Sequence, residues 1–463
     1  MIGSDLAAKV LAEALKTGAD LAEIYIEDVT SLRLGLDDSR IEQAIRGVDK
    51  GAGVRVFFGN LVTYAYTDRL TEEALLEAAR AAAAAGKNSV TPKAIDLTER
   101  KSPLQFNIEK SFDLMSIEDK AKLLNDIDVK GRAYSPLIKQ VAASYRERSR
   151  KVWIYNSDGV YAHDDRNFVE MSVSTIAERD GNLQSSFEGF GGQIGLELLD
   201  KNNPLQKIEE AAEAAVKMLD ARPCPAGEMT VVLPNGWGGV LFHEACGHQM
   251  EADFITKGGS AYSGKVGEVV ASPIISAVDD GTILGRRGSI RFDDEGTPSQ
   301  RTVLIEKGVL KEYMWDLTEA RRVGRDASTG NGRRQSFRHM PMPRMTNTFI
   351  DQGEHDPEEI IANTKKGIFI KSMSGGQADI AKGDFVFNGK EAYLIEDGKL
   401  TAPLKGATVA GNGPKVLMEI DMVGNDLALD PGIGMCGKGQ SARVSVGQPT
   451  VRLPKVNVAG TSE

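Results

Sequence analysis

The chain has 463 residues, 41% of them hydrophobic and 26% charged, with a formal net charge of −10. That length allows two or three domains with substantial cores, and the acidic balance argues against nucleic acid or anionic membrane as the main partner, since both reward a basic face. Three cysteines, Cys224, Cys246 and Cys436, make no disulfide framework and fit a reducing compartment, while no apolar run approaches the ~18 residues of a membrane span.

Residues 5–19 read as an amphipathic helix with Leu6, Val10, Leu11 and Leu15 on one stripe. Charges run throughout this segment, unlike a secretory leader, so the expected location is cytoplasmic. Alternating segments at 22–29 and 31–37 follow, then 53–58 and 61–66 flank Gly59-Asn60 as a β-hairpin. Thr71 caps a helix running to Ala85, with Leu70 and Leu75 placed as a hydrophobic staple. Residues 87–115 are a polar connector. Ser116 caps the next helix, over 117–127, and 136–145 also has a helical period. Strand patterns occupy 151–156, 160–162, 168–178 and 183–190, with turns at Gly159 and Asp180-Gly181, before a helix over 204–219. The order helix, strands, hairpin, helix thus occurs twice before residue 220. It reads as a pattern-level repeat, or as two α+β layers that share a common order.

Arg222-Pro223-Cys224-Pro225-Ala226-Gly227 is stiff and turn-rich, the expected boundary between domains 1–221 and 228–463. The first is divisible into 1–90 and 115–221. Beyond the boundary a strand at 228–233 leads through Asn235 into a helix, and the remainder is glycine-rich. Short strands are expected near 288–292, 302–306, 367–371, 385–388, 392–396 and 415–423, with turns at Lys307-Gly308, Asn388-Gly389 and Asp397-Gly398. The fold class is therefore α+β. An N-terminal α+β domain with mixed sheet and helices precedes a mainly-β domain, a sandwich or incomplete barrel.

The helix carried by that second domain reads VLFHEACGHQMEAD over 240–253. A histidine pair with a carboxylate beside the first is how a helix presents zinc and the base that activates its water. His243 and His248 are five apart rather than four, which on an ideal helix separates them by roughly 140°. They share a metal only if the helix is widened by a π-bulge or ends near Gly247. Three residues are candidates for a third ligand. Cys246 lies between the histidines, with core packing as its alternative. Glu251 follows His248 by three and has an outer supporting role or a surface position as its alternative. Cys436 sits in Gly432-Ile433-Gly434-Met435-Cys436-Gly437-Lys438-Gly439, a loop stripped of bulk so that its thiolate can approach closely.

Four segments together carry a resemblance: GWGGVLFHEACGHQMEADF (236–254), RFDDEGTPSQRTVLIEKGVLKEYMWD (291–316), TGNGRRQSFRHMPMPRMTNTF (329–349) and MVGNDLALDPGIGMCGKGQ (422–440). The chain resembles the TldD/PmbA family over essentially its whole length, and its TldD branch in particular. The resemblance implies a zinc metalloprotease acting on unfolded or extended peptides. It also implies His243, His248 and Cys436 as zinc ligands, Glu244 as the catalytic residue, and a metal-free TldE/PmbA-like paralogue as the other subunit of a heterodimer. The residues alone permit a homodimer equally.

Other residues carry paired readings. His339 is a candidate to polarise a substrate carbonyl, or a structural histidine. Arg344 is a candidate partner for a substrate carboxylate, or an internal ion pair. Asp293, Asp294 and Glu295 can hold a second cation or form a solvated corner. His163 and His355 receive no role. The rival to a protease is a non-catalytic peptide-binding or assembly subunit with structural zinc. Glu244, which a structural site does not need, favours the enzyme; a zinc hydrolase for small amides remains a third reading.

Overall fold

Two capping signals and a pair of turn dipeptides set out the first half of the chain in the computed structural model, which describes residues 2–460. Met1 and residues 461–463, the outer ends of the two expected domains, lie outside the described residues. Thr71 and Ser116 each accept a backbone N–H from three residues on, starting the helices Glu72–Ala83 and Ile117–Tyr134. With Ser4–Leu15 and Pro204–Met218, these helices bracket two successive units of helix, three strands, helix. The strands are Leu21–Asp37, Arg40–Phe58 and Leu61–Thr67 in the first unit, and Ile138–Asn156, Val160–Arg179 and Asn182–Gly192 in the second.

All six strands share one antiparallel sheet, and the first strands of the two units are neighbours, from Glu23 opposite Asn156 to Asp37 opposite Ala142. The order across the sheet is therefore third, second, first, first, second, third. The repeated pattern in the sequence is a pseudo-twofold arrangement about that central pair. Hairpin turns at Asp38-Ser39 and Asp180-Gly181 have positive φ at both residues, the geometry whose twist matches a two-residue hairpin. From the connector, Thr98–Glu99 adds a short parallel strand beside Val160.

Segment 136–145, expected as a helix, is instead the start of the strand Ile138–Asn156. Its register slips once, between Ile138 and Gln140, and afterwards Val141, Ala143 and Tyr145 alternate inward. Pairing on both sides outweighs a helical period less than three turns long.

Beyond Arg222–Pro223 the chain builds two further large sheets and two two-stranded ones. Gly227–Leu233, Lys366–Ala378, Asp384–Glu396, Thr408–Asn412 and Val451–Ala459 pair in a ring, which closes because Lys366–Ala378 bonds to both Gly227–Leu233 and Asp384–Glu396. The β-rich half is thus built on a closed five-stranded barrel. A second, six-stranded sheet includes Ala277–Asp280, Arg301–Glu306, Asn347–Ile350 and Ser445–Gln448. Three local expectations change. Asn388-Gly389 is no turn but a point of slipped register inside one continuous strand. Segment 415–423 is mostly the helix Gly413–Glu419, started by Asn412 accepting from Lys415 N–H with Pro414 in the first turn, followed by the short strand Met422–Val423. Segment 288–292 forms only a single bridge, Phe292 to Pro298.

That last loop turns Asp293, Asp294 and Glu295 inward, all buried, which corrects the solvated-corner reading. Asp294 accepts from Arg166 at 2.6 Å and from the Arg334 backbone N–H at 2.7 Å. Arg334 and Arg55 both reach Glu23 at 2.6 Å, and Arg55 reaches Glu295 at 2.7 Å. This lattice of alternating charges fastens the first sheet to the second half. Burial raises the Asp294 carboxyl, but Arg166, Arg150 and Arg334 override it and hold it down at about 2. No helix among the described residues is long and apolar enough to cross a membrane.

Candidate metal centre

The strand Gly227–Leu233 leaves the barrel into a tight turn, Gly236–Gly239, and Gly239 packs so closely on Gly447 that a Cβ there would fall 2.3 Å from its carbonyl oxygen. One α-helical turn, Val240–Phe242, then widens into a π-helical turn, His243–Gly247, and tightens into a 3-10 turn, His248–Met250. The His248 backbone N–H bonds to the His243 carbonyl, an i→i+5 closure that stacks the second histidine over the first. This is the widening that the five-residue spacing demands. Its sequence signal was Gly247, where an added Cβ would meet the Met345 sulfur at 2.6 Å.

Cys436 arrives from a separate hairpin, Met435–Gly437 paired with Ser441–Arg443. Its Sγ lies 3.2 Å from His243 Nε2 and 3.0 Å from His248 Nε2. All three residues are buried, and their ligand atoms lie within 4.8 Å of one another. Tetrahedral zinc with ordinary bond lengths would hold such nitrogen and sulfur donors about 3.5 Å apart. Two imidazole nitrogens and a thiolate are also a donor set that zinc favours, so these residues fit the ion.

Electrostatics prepare the donors. Burial pushes the Cys436 thiol up, but His243 and His248 outweigh it and bring it down to about 5, so the sulfur is a thiolate near neutral pH. Burial likewise opposes charge on His248, yet Glu251 and Cys436 raise it to about 10. Glu251 Oε2 accepts from His248 Nδ1 at 2.9 Å, which leaves Nε2 directed at Cys436. His243 Nδ1 is buried with no hydrogen-bond partner among the described residues. The Glu244 side chain keeps 34% exposure, and its oxygens lie 4.0 Å from His243 Nε2 and 3.7 Å from His248 Nε2. It faces the donors from the solvent side.

The other candidates separate cleanly. Cys246 points into the apolar core near Tyr262, where burial raises its thiol to about 12. Glu251 stands behind His248 rather than among the donors. Arg344 is fully buried and donates to the carbonyls of Cys436 at 2.8 Å and Gln440 at 2.6 Å. It clamps the Cys436 hairpin, so the geometry favours its internal role over a substrate contact. His339 bonds Ser336 Oγ through Nδ1 at 2.9 Å and lines a neighbouring cleft with Asp253, Met340 and Gln440, outside the donor cluster. His163 stacks on Trp153, and His355 bonds the Val423 carbonyl.

Lys438, to which the sequence assigned no role, lies beside the candidate donors. Its ammonium donates to Glu251 at 2.8 Å, Asp253 at 2.9 Å and the Pro343 carbonyl at 2.7 Å. The chain of contacts therefore runs from Lys438 through Glu251 to His248.

Comparison with known proteins covers nearly the whole chain. Residues 226–460 match the PmbA/TldA metallopeptidase C-terminal domain, 110–219 the central domain and 22–86 domain 1 of the same family. The metalloprotease TldD homolog of Haemophilus influenzae is 40% identical over 454 residues, covering 96% of this chain and 93% of that protein. The zinc metalloprotease TldD homolog of Saccharolobus solfataricus is 26% identical, covering 98% and 99%. Among solved structures, a Thermotoga maritima protein named as a modulator of a DNA gyrase superposes with a TM-score of 0.81 at 22% identity, over 98% of this chain and 99% of that one. TldE from Thermococcus kodakarensis superposes with a TM-score of 0.77 at 21% identity, over 98% and 100%.

Proposed function

The chain belongs to the PmbA/TldD metallopeptidase family, and from that premise we propose that it is a zinc-dependent protease cleaving unfolded or extended peptides. The observation that carries this reading is a donor set of three with an acid beside it. Only His243, His248 and Cys436 form such a cluster among the described residues, with Glu244 facing the same point from the solvent side. Three protein ligands and one open position characterise a catalytic zinc, whereas structural sites close with four.

When bound, zinc supplies a Lewis acid that polarises a carbonyl and brings the pKa of water toward neutrality. The protein does the rest. His243 and His248 hold their Nε2 atoms toward one point, the second fixed by Glu251. Arg344 fixes the backbone that presents the Cys436 thiolate. Glu244 takes a proton from the attacking water and returns it to the leaving amine. A thiolate donates more charge than a carboxylate, so modest turnover is expected.

An extended substrate fits a strand-rich molecule, since a sheet edge captures an unfolded chain through its backbone with little regard to sequence. The proposed assembly is a heterodimer with a TldE/PmbA-like paralogue, with a homodimer as its alternative, acting in the cytoplasm. Domain 228–463 would carry the chemistry. The test has two arms. Metal analysis of His243→Ala, His248→Ala and Cys436→Ala should show loss of zinc in each; full zinc in Cys436→Ala with loss in Glu251→Ala would replace the third ligand. Cleavage of one protein in folded and destabilised forms, by the chain alone and with its paralogue, tests the substrate. Equal cleavage of both forms by an isolated monomer would overturn the selectivity.

A further inference from the structure

The face of the Cys436 hairpin turned away from the metal donors closes a second cavity, of about 180 Å3. Directly paired residues of an antiparallel hairpin share a face, and successive residues alternate. Cys436 pairs with Ala442, whereas Met435 pairs with Arg443. Arg443 therefore points away from the histidines, toward the N-terminal sheet. That sheet meets it with Arg148 and Arg150 from one strand and Arg166 from the next, Arg150 and Arg166 directly opposite one another. Arg333 and Arg334 complete the cationic wall, and Asp294 is the one carboxylate lining it. Like charges directly across a sheet are destabilising, so an assembly of six arginines needs an account.

Half of these cations are balanced. Arg150 pairs with Glu27, Arg166 with Asp164 and Asp294, and Arg334 with Glu23. The other three have no carboxylate partner among the described residues. Arg333 donates to the carbonyls of Met345 and Arg443, and Arg443 lies over the Phe168 ring at 4.6 Å. The Nε atoms of Arg148 and Arg443 are buried without a hydrogen-bond partner. Glu170, the acid that bears on Arg443, is already held by Arg287 and Arg146. Burial first, then repulsion from neighbouring arginines, lowers both Arg148 and Arg443, the latter well below the usual guanidinium range. Both residues are half-buried with their Nε atoms fully so, and a desolvated cationic donor without a partner is costly unless something pairs with it.

We propose that this cleft binds one small oxyanion, a carboxylate or a phosphate-type group, gripped between Arg148 and Arg443. Guanidinium groups present paired N–H donors in a plane that matches such groups in bidentate fashion. A cavity of about 180 Å3 has room for a tetrahedral oxyanion or a carboxylate on a short tail. Phe168, Ile290 and Met435 give that tail an apolar wall. The site stands independently of the metal chemistry, since its cations lie on the opposite face of the hairpin from Cys436.

The experiment uses the full chain at fixed ionic strength, balanced with chloride. Thermal unfolding and calorimetric titration are followed with inorganic phosphate, with N-acetylglycine and with N-acetylglycinamide. Saturable binding of phosphate or N-acetylglycine, without binding of the amide, is expected; phosphate against N-acetylglycine distinguishes a phosphate-type ligand from a carboxylate. Arg443→Gln and Arg148→Gln should each weaken the bound anion by roughly tenfold or more, the loss of one charge-assisted hydrogen bond. Arg148 makes no ion pair, so its variant keeps the test readable should Arg443→Gln fold poorly. Equal anion response in wild type and Arg148→Gln, or a wild-type response no larger than that to chloride, would overturn the proposal.

Discussion

Two buried clusters of titratable residues use the same materials in opposite ways. At the junction of the two halves, Glu23, Arg55, Glu295, Asp294, Arg166 and Arg334 alternate in sign, and each charge is spent on its neighbour. At the candidate metal centre, His243 Nε2, His248 Nε2 and Cys436 Sγ converge, the sulfur lying 3.2 and 3.0 Å from the two nitrogens, and the balancing charges of Glu251 and Lys438 stand behind them. Burial does not tell the clusters apart, because both are buried. Direction does: a structural network aims donors at acceptors, whereas a ligand site aims acceptors at a common point.

The strongest way to sharpen that contrast is Glu244→Gln. An amide neither takes nor returns the proton, so peptide cleavage should fall by about 10²- to 10⁴-fold, while metal content and unfolding temperature stay at wild-type values because Glu244 is part-exposed and outside the donor set. Activity surviving in this variant would move the base elsewhere and revive a structural role for the metal. Next in size, Asp294→Ala should cost about 3–5 kcal/mol of stability, the usual consequence of stripping a buried ion pair of one partner. Its folded fraction should still bind metal with unchanged stoichiometry. Coupled loss of metal in that folded fraction would show that the clusters are one unit rather than two.

How far the sequence foretold this arrangement differs between the clusters for a physical reason. The histidine pair was legible as a candidate site because ligand chemistry allows few residue types, whereas Cys436 stood among three candidates until the family resemblance singled it out. A five-residue histidine spacing also admits few backbone solutions, and the π turn is one of them. The paired units were legible because helix caps and hairpin turns are local signals. The junction network was not. Asp293-Asp294-Glu295 on its own looks like solvated polarity, and only the arrival of Arg55 and Arg166 from distant strands and of Arg334 from a later loop turns it into a core. Segment 136–145 failed likewise, since its strand state depends on partners on both sides. Lys438 escaped notice because its target, Glu251, lies 187 positions away.

A pH series separates the junction network from the rest by sign. The Asp294 carboxyl is held down at about 2 when folded, against an ordinary value of 3.8. A depressed acid contributes stability that is complete above its unfolded pKa and is lost as pH falls through its folded one. The gap between wild type and Asp294→Asn should therefore be full at about pH 5 and narrow by about 2 kcal/mol as pH falls from about 4 to about 2. Asp293 and Asp316, whose carboxyls burial raises well above the usual range, push the other way and cancel from this difference. Urea unfolding of both proteins across that window gives the measurement; a constant gap would mean that Asp294 acts through shape and not charge.

The smallest effect, and the most specific, belongs to Glu251→Gln. Glu251 accepts from His248 Nδ1 at 2.9 Å and thereby fixes which ring nitrogen carries the lone pair. A glutamine oxygen still accepts that hydrogen bond, so the ring stays in place. What disappears is the negative charge that makes the imidazole a stronger donor and balances Lys438, which reaches Glu251 at 2.8 Å. Zinc affinity should drop by roughly tenfold, the lower end for loss of an outer hydrogen-bond partner, measured by competition with a chromophoric chelator. Asp253 remains 2.9 Å from Lys438 and keeps that ammonium paired, so the fold should survive. Glu251→Ala, by contrast, removes the acceptor as well and should weaken zinc further. If glutamine and alanine weaken zinc equally, hydrogen-bond orientation contributes nothing and the carboxylate charge alone matters. If neither weakens it, the Lys438–Glu251–His248 chain belongs with the junction network, as packing that happens to lie beside a metal.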